Sequence, residues 1–182
     1  MRSVAIAAVI LGATMSLPAQ EIRDLRFDVG YGIAPRLSGQ GRGMNGFHAI
    51  AAGRLSWGEV SLHYETRMSS ASSGGYGNEE NGTTVSFQVG TTVTGAHGEF
   101  TVSAGLGSFR AKTTIRNEYY DYTNFTFVQT VTTQEVSKLA IPADIRMCWN
   151  FSDGFGLGAA VLGAYVEDNS YAGYQVFVRI GL

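Results

Sequence analysis

Apolar side chains fall on alternate positions along most of the chain, and no run of ten or more residues carries the 3.6-residue period of an amphipathic helix, so the pattern predicts strands throughout. The last nine residues show it most plainly: Tyr174, Val176, Val178, Ile180 and Leu182 share one face, and Gln175, Phe177, Arg179 and Gly181 the other. Eight such segments are predicted, over 25–33, 47–57, 60–68, 83–93, 100–107, 138–149, 155–165 and 174–182. The third alternates most cleanly, with Val60, Leu62, Tyr64, Thr66 and Met68 against Glu59, Ser61, His63, Glu65 and Arg67. Short turns are predicted at Gly58, at 95–98 and at 150–154, and long polar loops at 38–46, 69–82, 116–124 and 167–173. Short and long connections therefore alternate, as in an antiparallel up-and-down barrel with all its long loops at one end.

Charge separates the two faces further. Arg26, Asp28, Arg54, Glu59, His63, Glu65, Arg67, Glu99, Lys138, Asp144, Arg146 and Arg179 all fall on the polar face, and the other face is nearly free of charge. Alternation alone permits either face inside; a lipocalin-like soluble barrel would point the apolar face inward. Trp57, Phe100, Trp149 and Phe155 lie beside the short turns, and Tyr31, Phe47, Tyr165 and Tyr174 beside the long loops. Two aromatic belts at opposite ends favour an apolar face turned to lipid, with the aromatics as interfacial girdles. An eight-stranded barrel is just wide enough for side chains to fill. The near balance of acids and bases then predicts a paired internal charge network, because an unpaired buried charge costs several kcal/mol. A catalytic or proton-relay cluster around His63 and Glu65 is the functional alternative.

Composition narrows the class. Arg2, an apolar run from Val4 to Leu11 and a small-residue stretch ending at Ala19 have the anatomy of a secretory signal peptide, with cleavage expected after Ala19 or Gln20 and one barrel domain over 20–182. No later segment holds 18 unbroken apolar residues, which excludes a helical membrane protein. Cys148 is the single cysteine, so an exported chain has no internal disulfide. A net charge of -2 with scattered Lys and Arg gives no case for nucleic acid. The 24 glycines, nearly double the share expected at roughly 7 % average usage, fit many turns and tight strand packing. No motif calls for a metal or cofactor.

The export segment, eight alternating strands, loop asymmetry and closing strand together resemble the small outer-membrane β-barrels of Gram-negative-type bacteria, the OmpA barrel and OmpX/Ail group. The segment from Lys138 to Met147, with Pro142 after an apolar pair, is similar to a strand frequent in that family, whereas Leu182 stands where the family usually ends on phenylalanine. The resemblance covers essentially all of the chain after the signal. It implies an all-β, eight-stranded antiparallel transmembrane barrel with short periplasmic turns and long external loops. It also implies an outer-membrane location, contact with outer-membrane lipid and lipopolysaccharide, and insertion by the barrel insertion machinery.

The stretch 108–136 exceeds what a spanning strand pair needs, since about 9 to 11 residues cross a bilayer. It reads as a protruding hairpin tipped by Tyr119, Tyr120, Tyr122, Phe125 and Phe127, either candidates for contact with lipopolysaccharide or an unidentified surface protein or rings that pack the hairpin against itself. The expected function is a non-enzymatic envelope component that makes surface contacts there. The alternatives are a lipid-modifying enzyme, a small pore and a soluble lipocalin-like binder. For the enzyme, His48, His63 and His97 offer no His-X-Ser of the deacylase type, and the soluble binder lacks a Gly-X-Trp in its first strand.

Overall fold

A computed structural model describes residues 23–35, 37, 44–69, 79–152 and 154–181; the predicted signal segment, its cleavage point and Leu182 lie outside the described residues. Eight strands follow one another: β1 (Arg23–Ile33), β2 (Asn45–Leu55), β3 (Gly58–Met68), β4 (Glu79–Thr94), β5 (Gly98–Asp121), β6 (Thr126–Ser152), β7 (Phe155–Tyr165) and β8 (Tyr171–Gly181). Each pairs antiparallel with its sequence neighbours, and β1 pairs with β8 to close the barrel. Closure leaves no free edge around the ring, which is how an all-β chain satisfies its backbone groups within lipid.

The faces are inside-out relative to a soluble barrel. Arg146, Arg67, Glu59 and Asp28 are fully buried, whereas Leu62, Val161 and Val176 are each more than half exposed. A lipocalin-like arrangement, with the apolar face inward, is overturned by this. Only a solvent as apolar as lipid stabilises such an exterior. Trp57, Phe100, Trp149 and Phe155 are exposed at the short-turn end, and Tyr31, Phe47, Tyr165 and Tyr174 at the other.

Several boundaries differ from the alternation. β2 stops at Leu55, which pairs with Gly58, so Ser56 and Trp57 form a two-residue turn and Trp57 is not in a strand. β4 starts four residues earlier than expected, because Glu79 to Gly82 pair with Thr114 to Ala111. The expected loop 116–124 is mostly strand: β5 runs on to Asp121 and only 122–125 turn. Thr113, Thr114, Ile115 and the Thr130–Thr133 run opposite are β-branched, and their strand preference shows as composition without an apolar alternation. β8 begins at Tyr171, whose ring is buried inside the barrel.

Pro142 sits within β6, where it supplies no N–H to a ladder. The β5–β6 register passes from Ala104↔Ala143 to Gly107↔Ala140 with no pair between, so the interruption falls beside Gly105. Gly105 also meets β4 closely: a Cβ there would lie 1.9 Å from the Phe87 carbonyl oxygen.

Candidate functional site

Inward-facing charges of β1, β2, β3, β5, β6 and β8 converge near the short-turn end. Arg146 is the hub: its Nε donates to Asp144 at 2.9 Å, Nη1 to Asp28 at 3.1 Å and Nη2 to Glu59 at 2.6 Å. Arg179 grips both oxygens of Asp28, at 2.7 and 2.8 Å, and reaches Glu99 at 2.5 Å. Arg26 bridges Glu59 and Glu99, and Arg54 donates to Glu99 at 2.6 Å. Four guanidiniums thus face four carboxylates, so the cage is neutral and its members are partnered. Hydroxyls take remaining lone pairs, Thr92 on Glu59 at 2.9 Å and Ser103 on Asp144 at 2.8 Å. Bidentate Arg–carboxylate geometry makes such a cage rigid.

Toward the long-loop end the interior turns apolar. Ala34, Phe109, Ala111, Ala140, Leu162, Ala164, Val166 and Tyr171 form one buried cluster. Arg67 stacks its guanidinium 3.4 Å from the Tyr171 ring centroid and 5.1 Å from that of Phe109. The Tyr171 hydroxyl donates to Glu65 at 2.7 Å. Glu65 and Arg67 therefore belong to this cap and not to the cage. Phe109 and Tyr171 were not singled out from the sequence; extending the inward series Gly105, Gly107 by one step would have placed Phe109.

Between cage and cap lies a cavity of about 20 Å³ lined by His48, His63, Glu65, Thr84, Ser86 and Asp144, among others. Beside it Ser61 Oγ is 2.8 Å from His63 Nε2, and His63 Nδ1 is 3.5 Å from Asp144 Oδ2. Hydroxyl, imidazole and carboxylate in that order have the form of a nucleophile–base–orienter relay. All three are buried, with the charged cage on one side and the apolar cap on the other. The cavity has room for a single water-sized occupant.

Lys138 is placed apart from the cage. It sits on β6 beyond the ring, where it donates to Asp168 Oδ2 at 3.0 Å and to the Glu167 carbonyl at 2.9 Å, tying the β7–β8 loop to the hairpin stem. Alternation puts it on the inward parity, but β7 pairing begins only at Ile141, so on that side no strand covers it and it turns to the β7–β8 loop. Asp168 beside it raises the Lys138 ammonium pKa above its ordinary value.

β5 and β6 continue past their neighbours as a two-stranded hairpin. β5 loses β4 beyond Thr114, and β6 has no β7 pairing before Ile141, so along 126–140 the strand ladder of β6 is, among the described residues, with β5 alone. Cross-strand pairing holds to the tip, ending at Tyr120↔Phe127 and Asp121↔Thr126. Tyr120 meets Tyr122 and Phe127 edge-on at 5.0 and 5.1 Å, while Tyr119, Tyr122, Phe125 and Phe127 remain largely exposed. Asp121 closes the turn by accepting Asn124 Nδ2–H at 2.8 Å and Thr123 N–H at 2.9 Å. Those bonds, the Asn124 one foremost, hold its carboxyl below the usual carboxylate range.

No protein-family model matches the sequence, and no curated protein does. Solved structures do match the fold. Ail, the attachment invasion locus protein of Yersinia pestis, superposes with a TM-score of 0.62 at 10 % identity, over 89 % of this chain and 100 % of that one. Neisserial surface protein A gives 0.61 at 12 % identity, over 86 % of this chain and 95 % of its own. The N-terminal β-barrel domain of Pseudomonas aeruginosa OprF gives 0.50 at 16 % identity, over 87 % and 97 %. At these identities the likeness is one of fold. With the inside-out faces and the closed eight-stranded ring, it gives the chain the architecture of the small outer-membrane β-barrels.

Proposed function

We propose that the protein is a non-enzymatic, integral outer-membrane barrel that serves as an envelope component and makes surface contacts through the β5–β6 hairpin and the external loops. The observation that carries this reading is the hairpin itself, a paired ribbon that outruns the lipid-facing wall and ends in exposed aromatics. Its bare β6 edge and aromatic tip supply the two kinds of surface that recognition uses, backbone donors and acceptors along a strand and rigid amphipathic rings. Outer-membrane lipid and lipopolysaccharide are the immediate neighbours, the barrel insertion machinery the assembly partner, and an unidentified surface protein a candidate ligand. Ail has been crystallised in complex with the heparin analogue sucrose octasulfate, which supports ligand recognition as a role this fold carries. The sealed Ser61–His63–Asp144 arrangement argues against lipid chemistry, and the filled interior against a pore.

The test compares intact cells displaying the full barrel with cells displaying a version lacking 112–135, at equal surface levels, for adherence to immobilised extracellular-matrix proteins and to lipid surfaces. Adherence lost with the hairpin supports the reading. Equal adherence by both, to every surface, sinks it.

A further inference from the structure

We propose that the apex of the β5–β6 hairpin is a bilayer anchor that inserts into the headgroup region of an opposing membrane with zwitterionic lipids. This rests on the hairpin being the contact surface and names its partner. The first observation is how the rings are distributed. Register places Tyr120 and Phe127 on the outward face of the ribbon, Tyr119 opposite Val128 on the other face, and Tyr122 and Phe125 in the turn. A protein partner covers one face of a two-stranded ribbon, whereas a bilayer surrounds its apex on all sides. Tyr is also a residue type that interfaces between water and hydrocarbon retain, ring in the apolar layer and hydroxyl among the headgroups, and Phe adds a wholly apolar ring to bury there.

Size points the same way. Tyr119, Tyr122, Phe125 and Phe127 are 57 %, 80 %, 79 % and 68 % exposed. At 150–250 Å² per aromatic side chain they offer roughly 600 Å², so a protein partner needing the ~800 Å² per side of a stable interface would have to cover the ribbon's edge as well as its apex.

Backbone conformation is an independent sign. Phe125 holds φ at 52°, the left-handed region that glycine or asparagine occupies without strain and a bulky side chain does not. Asn124 stands one position away. A strained, 79 % exposed phenylalanine contributes nothing to the fold that a glycine would not do better, which marks the ring as kept for contact.

Charge selects the lipid. Between 117 and 128 the only charged residues are Glu118 and Asp121, both acidic, and Arg116 just below is paired with Glu79 at 3.3 Å. An anionic surface repels this apex, and a zwitterionic one does not. The tip reaches a second membrane rather than its own. From Thr114 to Asp121 the paired ribbon runs on for about 24 Å at ~3.4 Å per residue, without a break at which to fold back.

The experiment uses the full barrel in nanodiscs, mixed with phosphatidylcholine vesicles and separated by flotation. Wild type is expected to float with the vesicles. The double substitution Tyr122→Ser, Phe125→Ser is expected to weaken that association about tenfold or more, in line with losing two inserted rings. Phe125→Gly alone should weaken it while leaving amide exchange protection along the ribbon unchanged or higher, which separates contact from folding. Replacing half the phosphatidylcholine with phosphatidylglycerol should weaken wild-type binding. The proposal is overturned if wild type does not float, if the double variant floats equally, or if only anionic vesicles bind. In the cell assay, loss on deleting 112–135 with no loss for the double serine variant removes the bilayer proposal and leaves the surface-contact reading standing. No loss for either removes both.

Discussion

At the scale of single residues, the consequences differ with burial. Arg146 contacts three carboxylates, and its own side chain and those of all three partners are almost wholly sealed, so Arg146→Met strands negative charge inside the barrel and is expected to cost about 3–5 kcal/mol in urea unfolding from lipid vesicles. Arg54 lies at the rim, a quarter exposed, and reaches Glu99 and the exposed Asp24; Arg54→Met should cost about 1 kcal/mol or less in the same titration. Equal losses for the two would contradict the cage geometry. At the hairpin turn Asp121 has a lowered carboxyl pKa, so its carboxylate form holds the turn. The contribution is full above the ordinary value of 3.8 and is lost as pH falls through the lower folded value. The Thr123 amide should accordingly stay protected from exchange at mild acidity and open only below that point, and Asp121→Asn should remove the dependence. The charged faces were legible in the sequence because alternation assigns each residue a side. Lys138 shows the limit: its parity is inward, but its height above the ring takes it out of the interior.

At the scale of elements, β5 and β6 divide into a wall and a ribbon. The wall part has neighbours on both sides, whereas above Ala111↔Val136 most of the ribbon's ladder lies within the hairpin. Removing 112–135 and rejoining at that pair is therefore expected to leave the barrel folded, read as an unchanged heat-dependent shift in gel mobility. Loss of the folded band would mean that the ribbon supports the wall. Gly105 is the counter-case inside the wall, since any Cβ there collides with the Phe87 carbonyl. Gly105→Val should lower refolding yield severalfold, while Ala104→Val on the lipid face should be tolerated. The wall strands were readable from their period. The ribbon was readable as a hairpin from its length, but not its run from Arg116 to Asp121, because a mostly polar strand with water on both faces has no apolar side to mark.

At the scale of the whole molecule, cage and apolar cap fill the described interior toward its two ends, and the cavity between them lined by His48, His63 and Asp144 holds about 20 Å³. No aqueous path crosses the described barrel. Planar bilayers holding the protein are expected to show no stable unitary conductance, and steady openings would require the cage to part. On the proposed non-enzymatic reading, Ser61→Ala should alter stability modestly and leave lipid A mass spectra unchanged.

The sequence by itself determined the number of strands, their antiparallel succession and which residues share a face, because a two-residue period and turn chemistry are properties of neighbouring residues. It also indicated, through charge balance and the placing of aromatics, that the polar face is the inner one. Only the tertiary structure decided which charge meets which. Arg146 finds Asp28 across 118 positions and Arg179 finds the same carboxylate across 151, since closure and stagger of the ring set those meetings and no local pattern encodes them. It likewise decided that Glu65 and Arg67 serve an aromatic cap, and that a segment with loop-like composition is a strand, because each outcome depends on what the far side of the barrel or hairpin brings into contact.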